Sequence, residues 1–377
     1  MSNFTAAEYD FMARALRLAE KGRYTTHPNP RVGCVIVKQD HVIGEGYHKR
    51  AGEPHAEINA LQAVNESPAG ATVYVTLEPC SHTGKTPPCA DALIDAGVSR
   101  VVIAMQDPNP EVAGQGIKRL QDAGITVDAG LLEAQARKLN PGFIKRMEQG
   151  LPWLRLKLAM SLDGRTAMAS GESKWITGSA ARHDVQKLRA SADAILTGIG
   201  TVLADDPALN VRLEPAELGI EGEVRQPLRV VVDSHLKMPF DAQLMRLNGD
   251  TIIATRADND DKLLNAFQSL GVQIVPIETA EDKHVNLHGL LATLAKQEIN
   301  EVHVEAGATL CGALIQQKLV DEIIIYMAPI LMGSDAKGLL NLPGLTAMAD
   351  KIALNIEDMR AIDKDWRLTL SLKSATE

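Results

Sequence analysis

The chain has 377 residues, of which 45% are apolar and 23% are charged, and its formal net charge is −9. This length predicts about two domains, and the composition is that of a globular protein rather than a disordered or fibrous one. No apolar run approaches the ~20 residues of a membrane span, and the first residues carry acidic side chains instead of a basic leader, so we expect neither a membrane partner nor a secretory signal.

The first half of the chain alternates helices and strands. A capping box at Thr5 and Glu8 opens an apolar-periodic helix that we expect to run to about Lys21. Pro54 is predicted to lie in the first turn of a helix that begins at His55. The other predicted segments are a hairpin over 33–38 and 41–47, a strand over 71–77, a helix over 89–96, a strand over 99–105, a helix over 116–123 and a strand over 125–129.

The second half begins after a charged segment, 138–150, that we predict to be a single helix. Residues 153–161 alternate apolar and polar side chains, which predicts a strand. Alternating strands and helices predict an α/β fold with a mainly parallel sheet, and we place the domains at 1–147 and 151–377. Further strands are expected at 193–197, 228–233, 251–255, 272–277, 301–305 and 322–328.

One cluster of residues has the composition of a catalytic zinc site. His55-Ala56-Glu57 is followed by Glu78-Pro79-Cys80 and then by Cys89. A catalytic zinc takes three protein ligands and keeps a fourth position open, so His55, Cys80 and Cys89 are predicted ligands and Glu57 is the predicted proton carrier. The order matches the signature of zinc nucleobase deaminases, except that eight residues instead of two separate the cysteines.

The predicted elements bring these ligands together. His55 and Glu57 fall on the first turn of one helix, and Cys80 and Cys89 flank the start of the next. Two helix N-termini can then face one metal, where their positive ends favour thiolates. The alternatives are a closed structural zinc site with His82 as fourth ligand, two coincidental cysteines, and a Glu57 that only stabilises the start of its helix.

Charge and cysteine usage limit the partners of this first half. Its first 150 residues carry 16 Lys and Arg against 17 Asp and Glu, without the basic face that a nucleic-acid partner requires. We therefore expect a small-molecule substrate and no nucleic acid. Four cysteines are too few for a disulfide scaffold, so we expect a cytoplasmic protein.

Two glycine-containing turns follow predicted strands in the second half. Residues 306–313 follow the strand that ends at Glu305, and residues 197–201 lead into the polar loop 202–207. Backbone N–H groups at such turns bind phosphates, and sites in α/β sheets lie at strand carboxyl ends. The alternative is that each glycine only permits a tight turn.

These motifs resemble those of the bifunctional deaminase/reductase family of riboflavin biosynthesis. The resemblance covers nearly the whole chain, and the long segment between the cysteines fits this branch. It implies an N-terminal cytidine-deaminase-like α/β/α domain and a C-terminal dihydrofolate-reductase-like α/β domain. The segments that carry it are 28–33 (PNPRVG), 55–57 (HAE), 78–89 (EPCSHTGKTPPC), 156–165 (LKLAMSLDGR), 173–177 (SKWIT), 201–209 (TVLADDPAL) and 304–307 (VEAG).

For the first domain, the resemblance implies zinc-dependent hydrolytic removal of the 2-amino group from 2,5-diamino-6-ribosylamino-4(3H)-pyrimidinone 5′-phosphate. Glu57 would move the proton. Asn29 would hydrogen-bond the pyrimidine, the alternative being a turn former between two prolines. Lys85 and His82 would meet the base or the 5′-phosphate, the alternative being a solvated loop; Asp107 and Asn109 are similar candidates.

For the second domain, the resemblance implies NADPH-dependent reduction of the ribosyl group of 5-amino-6-(5-phosphoribosylamino)uracil to ribityl. Arg189 and Arg212 suit a phosphate because a guanidinium binds it bidentately; the alternative is that both are exposed surface charges. Trp175 could equally be a core residue. The implied NADPH contacts are Ala159, Trp175, Thr201, Asp205, Ser234, Gly307, Ala308, Thr309, Leu310, Cys311, Gly312 and Ala313. The implied substrate contacts are Ser173, Arg189, Leu209, Arg212 and Glu305.

Two rival functions remain open on the sequence. One is a nucleoside or tRNA deaminase whose second half is an accessory nucleotide-binding domain. The other is a non-enzymatic zinc-binding or nucleotide-sensing protein, against which the intact Glu57 argues. The resemblance also implies a homo-oligomer that assembles through the reductase domain.

Overall fold

The computed structural model describes residues 4–81, 88–110, 112–269, 272–281 and 283–373. It divides into two compact units, Met1–Leu151 with Gly219–Glu221 and Pro152–Leu218 with Gly222–Glu377. Among the described residues, no helix combines the length and the apolar character needed to cross a membrane.

The first unit begins with a helix whose predicted capping box is present at Thr5 and Glu8. Its elements are α1 (Ala6–Glu20), β1 (Gly33–Lys38), β2 (His41–Tyr47), α2 (Ala56–Gln62), β3 (Thr72–Val75), α3 (Cys89–Asp95), β4 (Arg100–Ile103), α4 (Gln115–Asp122), β5 (Thr126–Ala129), α5 (Glu133–Leu139) and α6 (Pro141–Gln149).

The described strands of this unit form a sheet in the order β2-β1-β3-β4-β5. β1 pairs antiparallel with β2 and β3, and the last three strands are parallel. One face packs on α2, α3 and α4 through Ala60, Leu93 and Leu120. The other face packs on α1 and α6 through residues such as Met12 and Ile144. This is the α/β/α arrangement that the resemblance implies.

Two sequence predictions in this unit are wrong in detail. The helix expected over 138–150 is two helices, α5 and α6, separated at Asn140. The Asn140 side chain accepts from the Arg31 N–H (2.8 Å) and donates to the Arg31 carbonyl (2.9 Å), and Pro141, which has no N–H, begins the next helix. Pro54 is not in the first turn of α2, because His55 is the N-cap.

The second unit supplies the longer sheet. Its elements are β6 (Trp153–Ser161), β7 (Arg165–Ala167), α7 (Ser179–Ser191), β8 (Ala194–Gly198), α8 (Ile199–Asp205), α9 (Pro215–Leu218), β9 (Leu228–Val232), α10 (Gln243–Arg246), β10 (Thr251–Arg256), α11 (Asp261–Ser269), β11 (Gln273–Ile277), α12 (Leu287–Lys296), β12 (Glu301–Val304), α13 (Ala308–Gln316), β13 (Glu322–Ala328), β14 (Lys337–Gly338), β15 (Leu354–Ile362) and β16 (Asp365–Leu372).

Nine of the described strands form one sheet in the order β11-β10-β9-β8-β12-β6-β13-β16-β15. The pairings from β11 to β13 are parallel, as predicted. β16 and β15 add antiparallel to β13. This C-terminal hairpin is absent from the sequence predictions, because β15 is an edge strand that is largely exposed and carries no clear alternation.

Candidate functional site

The three predicted zinc ligands converge in the first unit. The ligand atoms of His55, Cys80 and Cys89 all lie within 4.8 Å of one another. His55 Nδ1 is 3.3 Å from Cys89 Sγ and 3.7 Å from Cys80 Sγ. Nitrogen and sulfur ligands of one tetrahedral zinc stand about 3.6 Å apart, given bonds of about 2.1 and 2.3 Å. The donor set and its spacing therefore fit zinc.

The local fold explains this convergence. His55 is the N-cap of α2, and Cys89 is the first residue of α3. Cys80 follows β3, and its sulfur accepts a hydrogen bond from the Cys89 N–H at 3.3 Å. Both helices thus present their N-terminal ends to the ligands, as predicted.

The two thiols differ in acidity. Hydrogen bonding from Cys89 lowers the pKa of Cys80, and hydrogen bonding to Cys80 together with burial raises the pKa of Cys89. Hydrogen bonding to Cys80 also raises the pKa of His55. The metal-free cluster therefore holds protons that a cation must displace, because zinc binds thiolate and neutral imidazole.

The Glu57 carboxylate lies beside this cluster and interacts with Cys89. It is 3% exposed, in the first turn of α2. Burial, followed by the charge of Cys80, raises the pKa of Glu57 to about 7. A pKa near neutrality suits a group that both accepts and returns a proton.

His48 is a neighbour of the cluster that the sequence reasoning missed. Its buried ring stacks edge-on against His55, with centroids 5.2 Å apart. Its Nδ1 lies 3.2 Å from the Pro54 carbonyl, and its Nε2 lies 3.1 Å from Asn29 Nδ2. If Nδ1 donates to Pro54, Nε2 accepts from Asn29, which fixes the amide with Nδ2 toward His48. Asn29, the predicted pyrimidine contact, is thus linked to the predicted zinc ligand His55 by way of His48.

The remaining candidates of the first unit are partly described. Lys85 and His82 lie outside the described residues. Asp107 and Asn109 follow β4, and Asp107 Oδ1 accepts from the Asn109 N–H at 2.8 Å.

The second unit centres on an ion pair between two predicted substrate contacts. Arg189 Nε and Nη2 donate to Glu305 Oε1 and Oε2 at 2.6 and 2.9 Å. Arg189 Nη1 donates to the Asn210 carbonyl at 2.9 Å. Burial opposes ionisation, but the Arg189 charge holds the pKa of Glu305 well below its usual range. Arg189 is therefore neither an exposed charge nor an open phosphate clamp, because Glu305 occupies its bidentate face.

Arg212 and Leu209 flank this pair from the loop after α8. Arg212 is exposed; its backbone N–H donates to Gln186 and its Nη1 donates to Asn210 Oδ1 at 3.0 Å. Leu209 is buried and has a positive φ of 46°. Of the two predicted phosphate-binding arginines, Arg212 is the accessible one.

The two glycine turns lie side by side. They follow the paired strands β8 and β12. A Cβ on Gly198 would approach Leu310 to 3.2 Å, and one on Gly307 would lie 4.0 Å from Thr201 Oγ1. The N-terminal turns of α8 and α13 thus lie next to each other at the carboxyl ends of β8 and β12, as expected for two neighbouring parallel strands.

The segment 173–182 makes two further contacts. Lys174 Nζ lies 3.7 Å from Asp205, and the Arg182 guanidinium lies 4.5 Å from the ring centroid of Trp175. Trp175 is 69% exposed, so it is not a core residue. Ser173 is half-buried in the same segment.

The predicted NADPH run 307–313 is not uniformly accessible. Gly307 caps α13, but Cys311 is buried and its thiol donates to the Ala306 carbonyl at 3.3 Å. A Cβ on Gly312 would clash with the Asn341 carbonyl at 1.9 Å. These two positions therefore pack the helix. Ala308, Thr309, Leu310 and Ala313 belong to the same helix, Ala159 lies on β6, and Ser234 Oγ accepts from the Val285 N–H at 3.1 Å.

Lys157 and His303 surround Glu305 and were not predicted. Lys157 lies on β6, where burial and Arg189 lower its pKa while Glu305 opposes them. His303 is fully buried, with Nε2 3.3 Å from Glu305 Oε1. Alternation along β6 predicts a polar face, and on that face Arg155 forms ion pairs with Glu301 and Glu322 of the two neighbouring strands.

Two family models match the chain. Residues 6–105 match the cytidine and deoxycytidylate deaminase zinc-binding region, and residues 152–368 match the RibD C-terminal domain.

Curated and solved relatives match over nearly the full length. The riboflavin biosynthesis protein RibD of Escherichia coli strain K12 is 53% identical, with 96% of this chain and 98% of that protein covered. The structure of Acinetobacter baumannii RibD has a TM-score of 0.87 and 46% identity over 98% of this chain and 99% of that one. A Thermotoga maritima structure, described as a diaminohydroxyphosphoribosylaminopyrimidine deaminase/5-amino-6-(5-phosphoribosylamino)uracil reductase, has a TM-score of 0.83 and 32% identity, with 97% and 99% covered.

Proposed function

Because the chain belongs to the RibD family of riboflavin biosynthesis proteins, we propose that its two units act in succession on one pyrimidine ribosyl phosphate. The chain is a bifunctional enzyme with a zinc-binding deaminase region and a reductase domain that uses NADPH. In the proposal, residues 1–147 deaminate 2,5-diamino-6-ribosylamino-4(3H)-pyrimidinone 5′-phosphate. Residues 151–377 then reduce the ribosyl group of 5-amino-6-(5-phosphoribosylamino)uracil to ribityl. The rival nucleoside or tRNA deaminase has no support in this family membership.

The convergence of His55, Cys80 and Cys89 beside Glu57 carries the deaminase half of the proposal. Zinc, when bound, lowers the pKa of a water and so supplies a nucleophilic oxygen at neutral pH. Glu57 would take one proton from the attacking water and pass it to the ring nitrogen, and would then take the hydroxyl proton of the adduct and pass it to the amino group, which leaves as ammonia. In the metal-free site, burial raises the pKa of Glu57 to about 7.

Substrate recognition in the first unit is assigned to Asn29 and Lys85. The contact between Asn29 Nδ2 and His48 supports the first assignment, since it would leave Asn29 Oδ1 and one N–H for the pyrimidine edge. Lys85, which lies outside the described residues, is proposed to meet the base or the 5′-phosphate.

In the second unit, the exposed Arg212 is the proposed phosphate ligand. Glu305, ionised and held by Arg189, is proposed to accept from sugar hydroxyls beside Ser173 and Leu209. NADPH, when bound, would supply the hydride for reduction at C1′ of the ribose. Its proposed contacts are Ala159, Trp175, Thr201, Asp205, Ser234 and the run 307–313, in which Gly307 caps the helix; Cys311 and Gly312 would contribute through the backbone only.

The test of the deaminase assignment is Glu57→Gln. We expect the variant to retain zinc and reductase activity but to lose deamination by roughly 10²–10⁴-fold, because the amide cannot accept the proton. Zinc is measured by elemental analysis and ammonia release by a coupled assay. Retained deamination would remove Glu57 from its proposed role.

We also propose that the chain is a cytoplasmic homo-oligomer that assembles through the reductase unit. All four cysteines are free thiols, which suits a reducing compartment. Ile356 and Met359 on the edge strand β15 are 65% and 56% exposed, and such apolar patches mark association surfaces. Light scattering of Ile356→Lys, with an expected drop in molecular mass, tests the assembly.

A further inference from the structure

Glu78 has an unusual number of hydrogen bonds for one carboxylate. It is 3% exposed and directly precedes Pro79 and the ligand Cys80. Its Oε2 accepts from the N–H groups of Asp107 (3.2 Å) and Gly114 (3.0 Å). Its Oε1 accepts from the N–H groups of Gly116 (2.9 Å) and Ile117 (3.1 Å). All four donors are backbone groups of the loop after β4 and the first turn of α4.

These bonds replace the missing cap of α4. The N-cap residue Gly114 has no side chain, so the first-turn N–H groups of Gly116 and Ile117 find their acceptor in Glu78. The negative carboxylate at a helix N-terminus adds a favourable interaction with the helix dipole. A Cβ on Gly116 would lie 2.0 Å from the Pro79 carbonyl oxygen, so the helix start is packed directly on the backbone beside Cys80.

The same carboxylate closes the loop between the strand and the helix. Asp107 and Gly114 both donate to Oε2, so the two ends of the loop meet at one atom. Arg119 on α4 adds a second link, donating to the Ser81 carbonyl at 3.1 Å, one residue beyond Cys80. The loop is therefore tied at both ends to the turn that carries a zinc ligand, at the carboxyl edge of β3 and β4, where ligands bind in open α/β sheets.

We infer that Glu78 is a positioning residue for deamination, which holds the loop carrying Asp107 and Asn109 against the zinc-ligand turn as a wall of the pyrimidine pocket. This inference rests on the proposed deaminase function of the unit. Glu78 touches neither metal nor substrate in this assignment; it acts through the four N–H groups that it accepts.

The variant Glu78→Gln tests the inference, because an amide keeps one acceptor oxygen and turns its NH₂ toward two of the four N–H donors. In the full-length zinc-loaded protein we expect faster hydrogen exchange over residues 107–117 and a roughly tenfold higher deaminase KM, with a smaller change in kcat. Zinc content and the kinetics of the reductase unit should remain those of the wild type. The matched control is Glu66→Gln, which removes the same charge from an exposed position of the same unit.

Glu78→Asp is the second variant; it keeps the charge but shortens the reach, and we expect a smaller change in exchange and KM. Unchanged hydrogen exchange in Glu78→Gln would show that Glu78 does not hold the loop in place. Faster exchange with an unchanged deaminase KM would show that the loop is not part of the pyrimidine pocket. Loss of zinc in both variants would also overturn the inference, since Glu78 would then support the ligand turn itself. Absence of deamination in the wild type would refute the proposed function separately, because the exchange measurement does not depend on turnover.

Discussion

The zinc-ligand cluster of the first unit and the Glu305 cluster of the second differ in where the neutralising charge comes from. His55, Cys80 and Cys89 face one another with a shared proton network that has room for a cation. Arg189 and Glu305 instead neutralise each other through two hydrogen bonds at 2.6 and 2.9 Å. The first arrangement is completed by a ligand from outside the chain, whereas the second is complete already. Deamination should therefore depend on an added ion, whereas the internal ion pair should contribute to the stability of the second unit.

The largest expected effect comes from removing a zinc ligand. Cys89→Ala should lose stoichiometric zinc and reduce deamination by about 10³-fold or more, because a water without the metal has a pKa far above neutrality. NADPH-dependent reduction, measured on the uracil intermediate, should be unaffected. A variant that deaminates at the wild-type rate without zinc would contradict the dependence of deamination on a bound metal.

Removal of one partner of the internal pair should act on stability. Arg189→Met leaves the Glu305 carboxylate buried without its guanidinium, which costs about 3–5 kcal/mol in the free energy of unfolding. The three tryptophans, Trp153, Trp175 and Trp366, all belong to the second unit, so tryptophan fluorescence during urea unfolding reports on that unit.

The control for this measurement is Arg246→Met, whose exposed pair with Asp241 is 3.7 Å long and should contribute less than about 1 kcal/mol. If the two substitutions lowered the free energy of unfolding equally, the Arg189–Glu305 pair would not contribute as a buried ion pair.

The zinc cluster should show a pH dependence of metal affinity. The pKa of Cys89 is raised, so this thiol is protonated in the metal-free protein at neutral pH and releases its proton on binding. The raised pKa of His55 and the Glu57 pKa of about 7 add further proton release as the pH falls. Because binding releases these protons, zinc affinity should rise with pH, about tenfold per pH unit above neutrality and more steeply below it. Competition with a chromophoric chelator measures this, and a pH-independent affinity would contradict it.

The smallest expected effect is on substrate binding in the second unit. Arg212→Ala should raise the reductase KM by roughly three- to tenfold and change urea unfolding little, because its guanidinium is exposed and the hydrogen bonds to the buried Glu305 come from Arg189. Arg246→Ala is the surface control. An unchanged KM would remove Arg212 from the phosphate site.

The sequence predicts the zinc cluster well because its chemistry is local. His55 with Glu57, and Cys80 with Cys89, stand at short spacings beside predicted helix starts, so composition and spacing are enough to bring them together. Glu78 escaped the same reasoning, since its partners are backbone groups 29 to 39 residues away that no side-chain pattern reveals.

The Glu305 cluster is less predictable because its neighbours come from separate strands. Alternation over 153–161 predicts β6 with its correct bounds, yet implies that Lys157 faces water. Pairing with β12 instead places His303, which contacts Glu305, beside this polar face in the same sheet. Whether a polar side chain on a strand meets solvent or a partner depends on strand order, which periodicity does not contain.

The most direct test of the whole account is mass spectrometry of the diaminopyrimidine ribosyl phosphate incubated with the zinc-loaded protein, with and without NADPH. We predict exchange of NH for O without NADPH and a further gain of two hydrogens when NADPH is present. Absence of the exchange would contradict the deaminase site, and exchange without the gain of hydrogen would contradict the reductase assignment of the second unit.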